Sequence, residues 1–170
     1  NNVVIGIWIA GSSNGENPSV NLEIKNNNII INGISTGIYA AHSNPTHSDW
    51  LIQGNTIDSA GVNLELYDVK DAEVKENTFE GNGNSVSVVY ASELSDVHNA
   101  DFLDNTFNGN GDLNGLGVTP TFWIESDFIN GTLSADTSVS GITINGSRFY
   151  NWINAGIKIG EPGGSGSFND

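Results

Sequence analysis

Three stretches of the chain hold most of the side chains able to do chemistry. His42, His47, Asp49 and Trp50 lie in the first. Glu93, Asp96, His98 and Asp101 lie in the second, and Trp123, Glu125 and Asp127 in the third. Carboxylates paired over an aromatic-lined surface suit glycan chemistry, one donating a proton while another acts as base or nucleophile. Asp49, Glu93, Asp96, Glu125 and Asp127 are therefore the candidate catalytic set, and Trp8, Tyr39 and Trp123 the candidate sugar-stacking rings. In an acidic protein the same residues also read as solvated loop side chains. Clustered Asp, Glu and Asn oxygens suit calcium, a hard cation, and Asp96 with His98 offers an oxygen–nitrogen pair to a transition metal. Neither an EF-hand pattern nor a nonapeptide calcium repeat is present, and no organic cofactor is expected.

The elements that must position these groups come from internal repetition. Glu73-Val74-Lys75-Glu76-Asn77-Thr78-Phe79 is rewritten as Asp101-Phe102-Leu103-Asp104-Asn105-Thr106-Phe107, and more loosely around Asn27, Asn55 and Ser147. Three columns result. Ile24, Ile52, Val74, Phe102 and Ile144 form the first, Asn27, Asn55, Asn77, Asn105 and Ser147 the second, and Ile29, Ile57, Phe79, Phe107 and Phe149 the third. Short alternating strands repeating every twenty-odd residues predict a solenoid, because one repeat cannot bury its own apolar face and several in register can. Equivalent residues then stack about 4.8 Å apart. An Asn at each bend can take left-handed backbone geometry and bond the Asn above and below. A second strand follows each bend. Ile7/Ile9, Ile38/Ala40, Leu64/Leu66, Val88/Tyr90 and Ile157/Ile159 are expected inward, with Trp8, Tyr39, Glu65, Val89 and Lys158 outward.

This pattern resembles the right-handed parallel β-helix of the pectin-lyase-like superfamily, with its coils of about 22 residues and its asparagine ladder. The resemblance covers nearly the whole chain. It implies an all-β fold, a single-stranded right-handed parallel β-helix of about five to six coils over residues 1–160, followed by a Gly/Ser-rich tail over 161–170. It implies much less about activity, since that superfamily holds lyases, hydrolases, epimerases, tailspikes and non-enzymatic surface proteins. The Asp-Pro-His-type motif of uronan epimerases is missing. So is the polygalacturonase set of Asn-Thr-Asp, Asp-Asp, Gly-His-Gly and Arg-Ile-Lys. Lyase chemistry on uronates needs convergent cations, whereas Lys25, Lys75 and Arg148 lie by the Asn bend and only Lys70 near the inserted flank.

The ladder residues are spaced by 28, 22, 28 and 42 positions. If 22 is the minimal coil, the excess is expected at 41–49, 91–100 and 119–139, each after a second strand, so that the inserts emerge on one flank. Long inserts on a rigid scaffold are where function usually sits.

Composition narrows the partners. Twenty acidic residues against five basic give a net charge of −15, which repels nucleic acid and anionic membrane surfaces. The chain has no Cys, so disulfides and thiolate metal sites are excluded. No apolar run is long enough to span a bilayer. The sequons Asn130-Gly131-Thr132 and Asn145-Gly146-Ser147, and a chain opening on Asn1-Asn2, fit a processed protein that is extracellular or at the cell surface. The expected function is a structural or adhesive module, associating through its solenoid ends with a neighbouring chain or a second copy, its loop flank able to contact glycans. A polysaccharide-active enzyme, or its carbohydrate-binding remnant, is the alternative.

Overall fold

The computed structural model describes residues 5–9, 18–31, 36–40, 46–59, 62–81, 90–109, 114–118, 140–153 and 155–159. All the regular structure among them is β. The strands are β1 (Ile5–Ile9), β2 (Glu23–Lys25), β3 (Asn28–Ile31), β4 (Thr36–Ala40), β5 (His47–Gln53), β6 (Thr56–Ser59) and β7 (Leu64–Lys75). After them come β8 (Thr78–Gly81), β9 (Tyr90–Leu103), β10 (Thr106–Asn108), β11 (Asn114–Val118), β12 (Ser140–Asn145), β13 (Arg148–Tyr150) and β14 (Ala155–Ile159).

Every pairing is parallel. One sheet of nine strands runs β1-β4-β7-β9-β11-β14, with β5 pairing β2 and β7, and β12 pairing β9. The other, of five strands, runs β13-β10-β8-β6-β3. The long strands β7 and β9 each carry two functions of the repeat. Their N-terminal halves pair with β4 and β11, and their C-terminal halves with β5 and β12. Parallel sheets are stable when apolar side chains cover them, and here the covered faces hold the expected columns. Ile24, Ile52, Val74, Phe102 and Ile144 stand in direct register. So do Ile29, Ile57, Phe79, Phe107 and Phe149. Phe79 and Phe107 stack with ring centroids 4.9 Å apart, and Phe107 and Phe149 at 4.6 Å. The core is continuous across both sheets, with Ile52, Ile57, Leu64, Leu66, Phe102 and Phe107 wholly buried.

The second strands keep their expected alternation at Ile7/Ile9, Ile38/Ala40 and Leu64/Leu66, which pair through β1-β4-β7. The next level differs from expectation. Ser92 and Leu94, not Val88 and Tyr90, stand against Leu64 and Leu66, and Glu93 stands against Glu65 where Val89 was expected. Val88 and Val89 lie outside the described residues. The segment 91–100 is therefore strand rather than an inserted loop. The residues that lengthen this repeat precede its second strand, at 82–89, so the three inserts do not share one position along the repeat. Register decides this: Leu94, Val97, Ala100 and Phe102 stand level with Leu66, Val69, Ala72 and Val74, and Val97, Ala100 and Phe102 are wholly buried. Also unexpected is β11, whose Leu116 pairs both Ser92 and Ile157. Ile157 lies in the inward column but, on the last strand, remains 39% exposed.

Candidate functional site

The bend between β2 and β3 and its equivalents carries the polar column. Asn27, Asn55 and Asn77 each donate from the backbone N and from Nδ2 to Oδ1 of the next Asn, at 2.9–3.1 Å. Nδ2 of Asn55, Asn77 and Asn105 also donates to the carbonyl of Ile24, Ile52 and Val74. Ser147 ends the column, accepting from Asn105 N at 3.2 Å and donating to Phe102 O at 3.3 Å. Asn55, Asn77 and Asn105 are each 1% exposed, so these bonds offset the desolvation of buried amides. The left-handed backbone falls one residue earlier than expected. Asn26, Gly54, Glu76, Asp104 and Gly146 take φ between 54° and 66°, and the ladder residues do not. Placing the left-handed geometry on glycine (Gly54, Gly146) or on an exposed side chain (Asn26, Glu76, Asp104) leaves the ladder amide free to align with its neighbours.

A second bend holds the first candidate carboxylate. Asn21, Asp49, Asp71, Asn99 and Gly141 have φ between 54° and 62°, and the flanking register stacks them in one column. Nothing in the apolar periodicity signals this column. Its trace in the sequence is the run of Asn, Asp and Gly, the types that tolerate left-handed geometry. Asp49 is exposed and accepts from Ser48 Oγ at 2.8 Å, and Asp71 accepts from Asn99 Nδ2 at 3.1 Å. Beside the bend Ser48, Lys70, His98 and Ser140 are in register. His98 Nδ1 and Ser140 Oγ share a hydrogen bond of 2.8 Å. Asp96 is on the same strand as His98, its side chain outside those described. Among the described residues, no group of three or more His, Cys, Asp or Glu gathers in a way that could hold a metal ion.

Two residues expected on the functional flank belong to the core instead. His47 is fully buried and Trp50 is 2% exposed. Their rings lie 5.0 Å apart and together hold both backbone polar groups of Ser19, with Ser19 N donating to His47 Nδ1 and Trp50 Nε1 donating to Ser19 O, both at 3.0 Å. The pair ties the segment before β2 to β5.

The column of second-strand positions expected outward is the most varied in residue type. It reads Trp8, Tyr39, Glu65, Glu93, Gly117 and Lys158 across β1, β4, β7, β9, β11 and β14. Trp8 is 66% exposed and Glu65 only 7%. Glu65, expected in solvent, is thus covered, and two hydroxyls serve it: Thr36 Oγ1 at 3.0 Å and Tyr67 OH at 2.6 Å. Lys158 stands in this column with its side chain outside those described, whereas Lys25 and Lys75 are engaged elsewhere. Lys25 pairs with Glu23 and Lys75 with Glu73, both at 2.8 Å on their own strands. The hydrogen bond that Lys75 Nζ donates to Glu73 Oε1 holds the Lys75 ammonium above its ordinary pKa.

Of the remaining candidates, Glu93 lies on β9 with its side chain outside those described. Trp123, Glu125, Asp127 and Asn130 lie outside the described residues altogether. Asn145 is exposed at the end of β12, while the Ser147 hydroxyl of its sequon is engaged in the ladder. Compared with models of known protein families, with curated proteins and with solved structures, the chain matches none.

Proposed function

We propose that the two parallel sheets are walls of a single-stranded right-handed parallel β-helix of the pectin-lyase-like kind, and that the chain is an extracellular structural or adhesive module extended along the β-helix axis. The observation that carries this reading is the polarity of the Asn column. Each rung sends two donors to the acceptor of the next. Among the described residues, Asn27 Oδ1 receives no donor and the Ser147 backbone N–H has no acceptor. The two ends are therefore complementary, and a further rung continues the stack at either end. That rung can come from flanking sequence or from a second copy, whose Asn27 would meet Ser147. The outer edges of β3 and β13 likewise have no partner strand among the described residues, and open parallel edges invite pairing. A charge of −15 keeps such rods apart sideways while leaving axial hydrogen bonding free.

Solution scattering over a concentration series, with electron microscopy of the same material, tests this. Growth in length at constant cross-section is expected. A compact particle of fixed size at every concentration would contradict it. The enzymatic alternative predicts a glycan product lost in Asp49→Asn, Glu93→Gln or Asp96→Asn. The expected result is no cleavage and no unsaturated product across acidic and neutral polysaccharides.

A further inference from the structure

We propose that Asn145 is a site of spontaneous deamidation in the folded chain, exposed to attack because the Gly146 N–H that follows it meets no acceptor among the described residues. The reaction marks the uncovered end of the Asn ladder and stops when a further rung covers it. It does not depend on the reading of the chain as an extracellular module.

At the bend beside the ladder, each left-handed residue donates its backbone N–H to a carbonyl of the following level. Asn26 N reaches Gln53 O, Gly54 N reaches Lys75 O, Glu76 N reaches Leu103 O and Asp104 N reaches Asn145 O, at 2.8–3.1 Å. Gly146 closes this column at φ 65°, and its N–H has no such carbonyl among the described residues. Asn145 and Gly146 are both exposed, and the Asn145 carboxamide makes no hydrogen bond among the described residues. Packing imposes the glycine, since a Cβ at Gly146 would run into Asp104 Oδ1. It does not impose the asparagine. Lys25, Gln53, Lys75 and Leu103 stand at the same register position on the other levels.

The chemistry needs only water. The Gly146 nitrogen gives up its proton and bonds to Asn145 Cγ. The bond from Cγ to Nδ2 breaks, Nδ2 leaves with that proton as ammonia, and a cyclic succinimide remains. Water then opens either of its carbonyls, giving aspartate or isoaspartate. A glycine nitrogen is the least shielded nucleophile because no Cβ stands beside it, whereas an N–H already donated to a carbonyl must first be released by local opening. Asn108-Gly109 holds the same two residues in the opposite state. Gly109 N donates to Tyr150 O at 3.0 Å, Asn108 Nδ2 donates to Glu80 Oε2 at 2.6 Å, and Asn108 Oδ1 accepts from Asn151 Nδ2 at 2.9 Å. Nucleophile and carboxamide are both held there. The remaining Asn-Gly pairs have their side chains outside those described. Either product adds a negative charge beside the last rung and destroys the Asn145 sequon. Isoaspartate also adds a methylene to the main chain just before Ser147, which ends the ladder.

The unglycosylated full chain, dilute and in mildly alkaline buffer, tests the proposal when incubated both folded and in denaturant. Peptide mapping by mass spectrometry follows the loss of Asn145 and Asn108, and an isoaspartate methyltransferase labels the isoaspartate product. In denaturant the two sites should convert within about threefold of each other, since glycine follows both. In the folded chain Asn145 should stay within about tenfold of its denatured rate while Asn108 falls by about a hundredfold or more, because opening is easy at a last level and costly within the sheet. Equal rates at the two sites in the folded chain, both slow or both fast, would overturn the proposal. A covering rung supplies the Gly146 N–H with an acceptor, so conversion at Asn145 should slow at concentrations where the particle lengthens. Slow conversion at Asn145 in a particle of fixed size would defeat this inference alone. Fast conversion at Asn145 in a particle of fixed size would defeat only the axial reading, as would lengthening that leaves Asn145 as reactive as in the dilute chain.

Discussion

Asn77 uses its whole amide. Oδ1 accepts twice from Asn55, and Nδ2 donates to Asn105 Oδ1 and to Ile52 O. Asn77→Ala therefore strands several buried polar groups at once, and should lower stability by about 1–3 kcal/mol or more in denaturant unfolding. Asn28→Ala, one position past the ladder on an exposed side chain, should stay within about 0.5 kcal/mol. Ser147 is the weakest rung, since one hydroxyl replaces a carboxamide. Ser147→Asn supplies the missing acceptor for Asn105 Nδ2 and should raise stability by about 0.5–1.5 kcal/mol, measured on unglycosylated protein because the change also removes the sequon. Gly146 sits at φ 65°, and a Cβ there would run into Asp104 Oδ1. Gly146→Ala should therefore cost about 1–2 kcal/mol from the backbone alone, and more if the Asp104 side chain cannot swing aside.

At the scale of strands, the three stacked columns were legible because apolar residues recur at fixed offsets from Asn or Ser, and parallel register turns equal offsets into contact. Phe107 is wholly buried between Phe79 and Phe149. Phe107→Ala should cost about 3–5 kcal/mol, whereas Tyr150→Ala, 44% exposed on β13, should cost little. The second half of the pattern was harder to read. Ser92 to Asn99 looks polar and loop-like because its alternation is interrupted, yet the segment lies in β9 and its Leu94 and Val97 continue the columns of β7. Gly115 and Gly117 hid β11 in the same way, since glycine is a poor strand marker. His47 and Trp50 were misassigned for another reason. Residue type suggested chemistry, while their tertiary role is to hold Ser19. His47→Ala should destabilise the protein by about 1–3 kcal/mol by leaving the Ser19 amide without its acceptor. Faster hydrogen exchange at Ser19 is the accompanying sign.

For the whole molecule, one polar spine crosses the same strand levels as the apolar core, and a column of mixed residue types crosses the second strands. The sequence displayed the spine because amide-to-amide stacking demands one residue type. It did not display the two hydroxyls that serve Glu65, because nothing in Thr36, Glu65 and Tyr67 marks them as partners before the sheet folds. The high negative charge opposes compaction, so added salt should raise the melting temperature by screening. The claim on which the rest depends is that the Asn column is a closed, buried chain of hydrogen bonds through successive levels. Side-chain amide exchange, followed by nuclear magnetic resonance on labelled protein, tests it most directly. The Nδ2 protons of Asn55, Asn77 and Asn105 should exchange as slowly as backbone amides of the central strands, while those of exposed Asn28 exchange at the free rate. Ladder amides exchanging as fast as Asn28 in an otherwise folded protein would contradict the account.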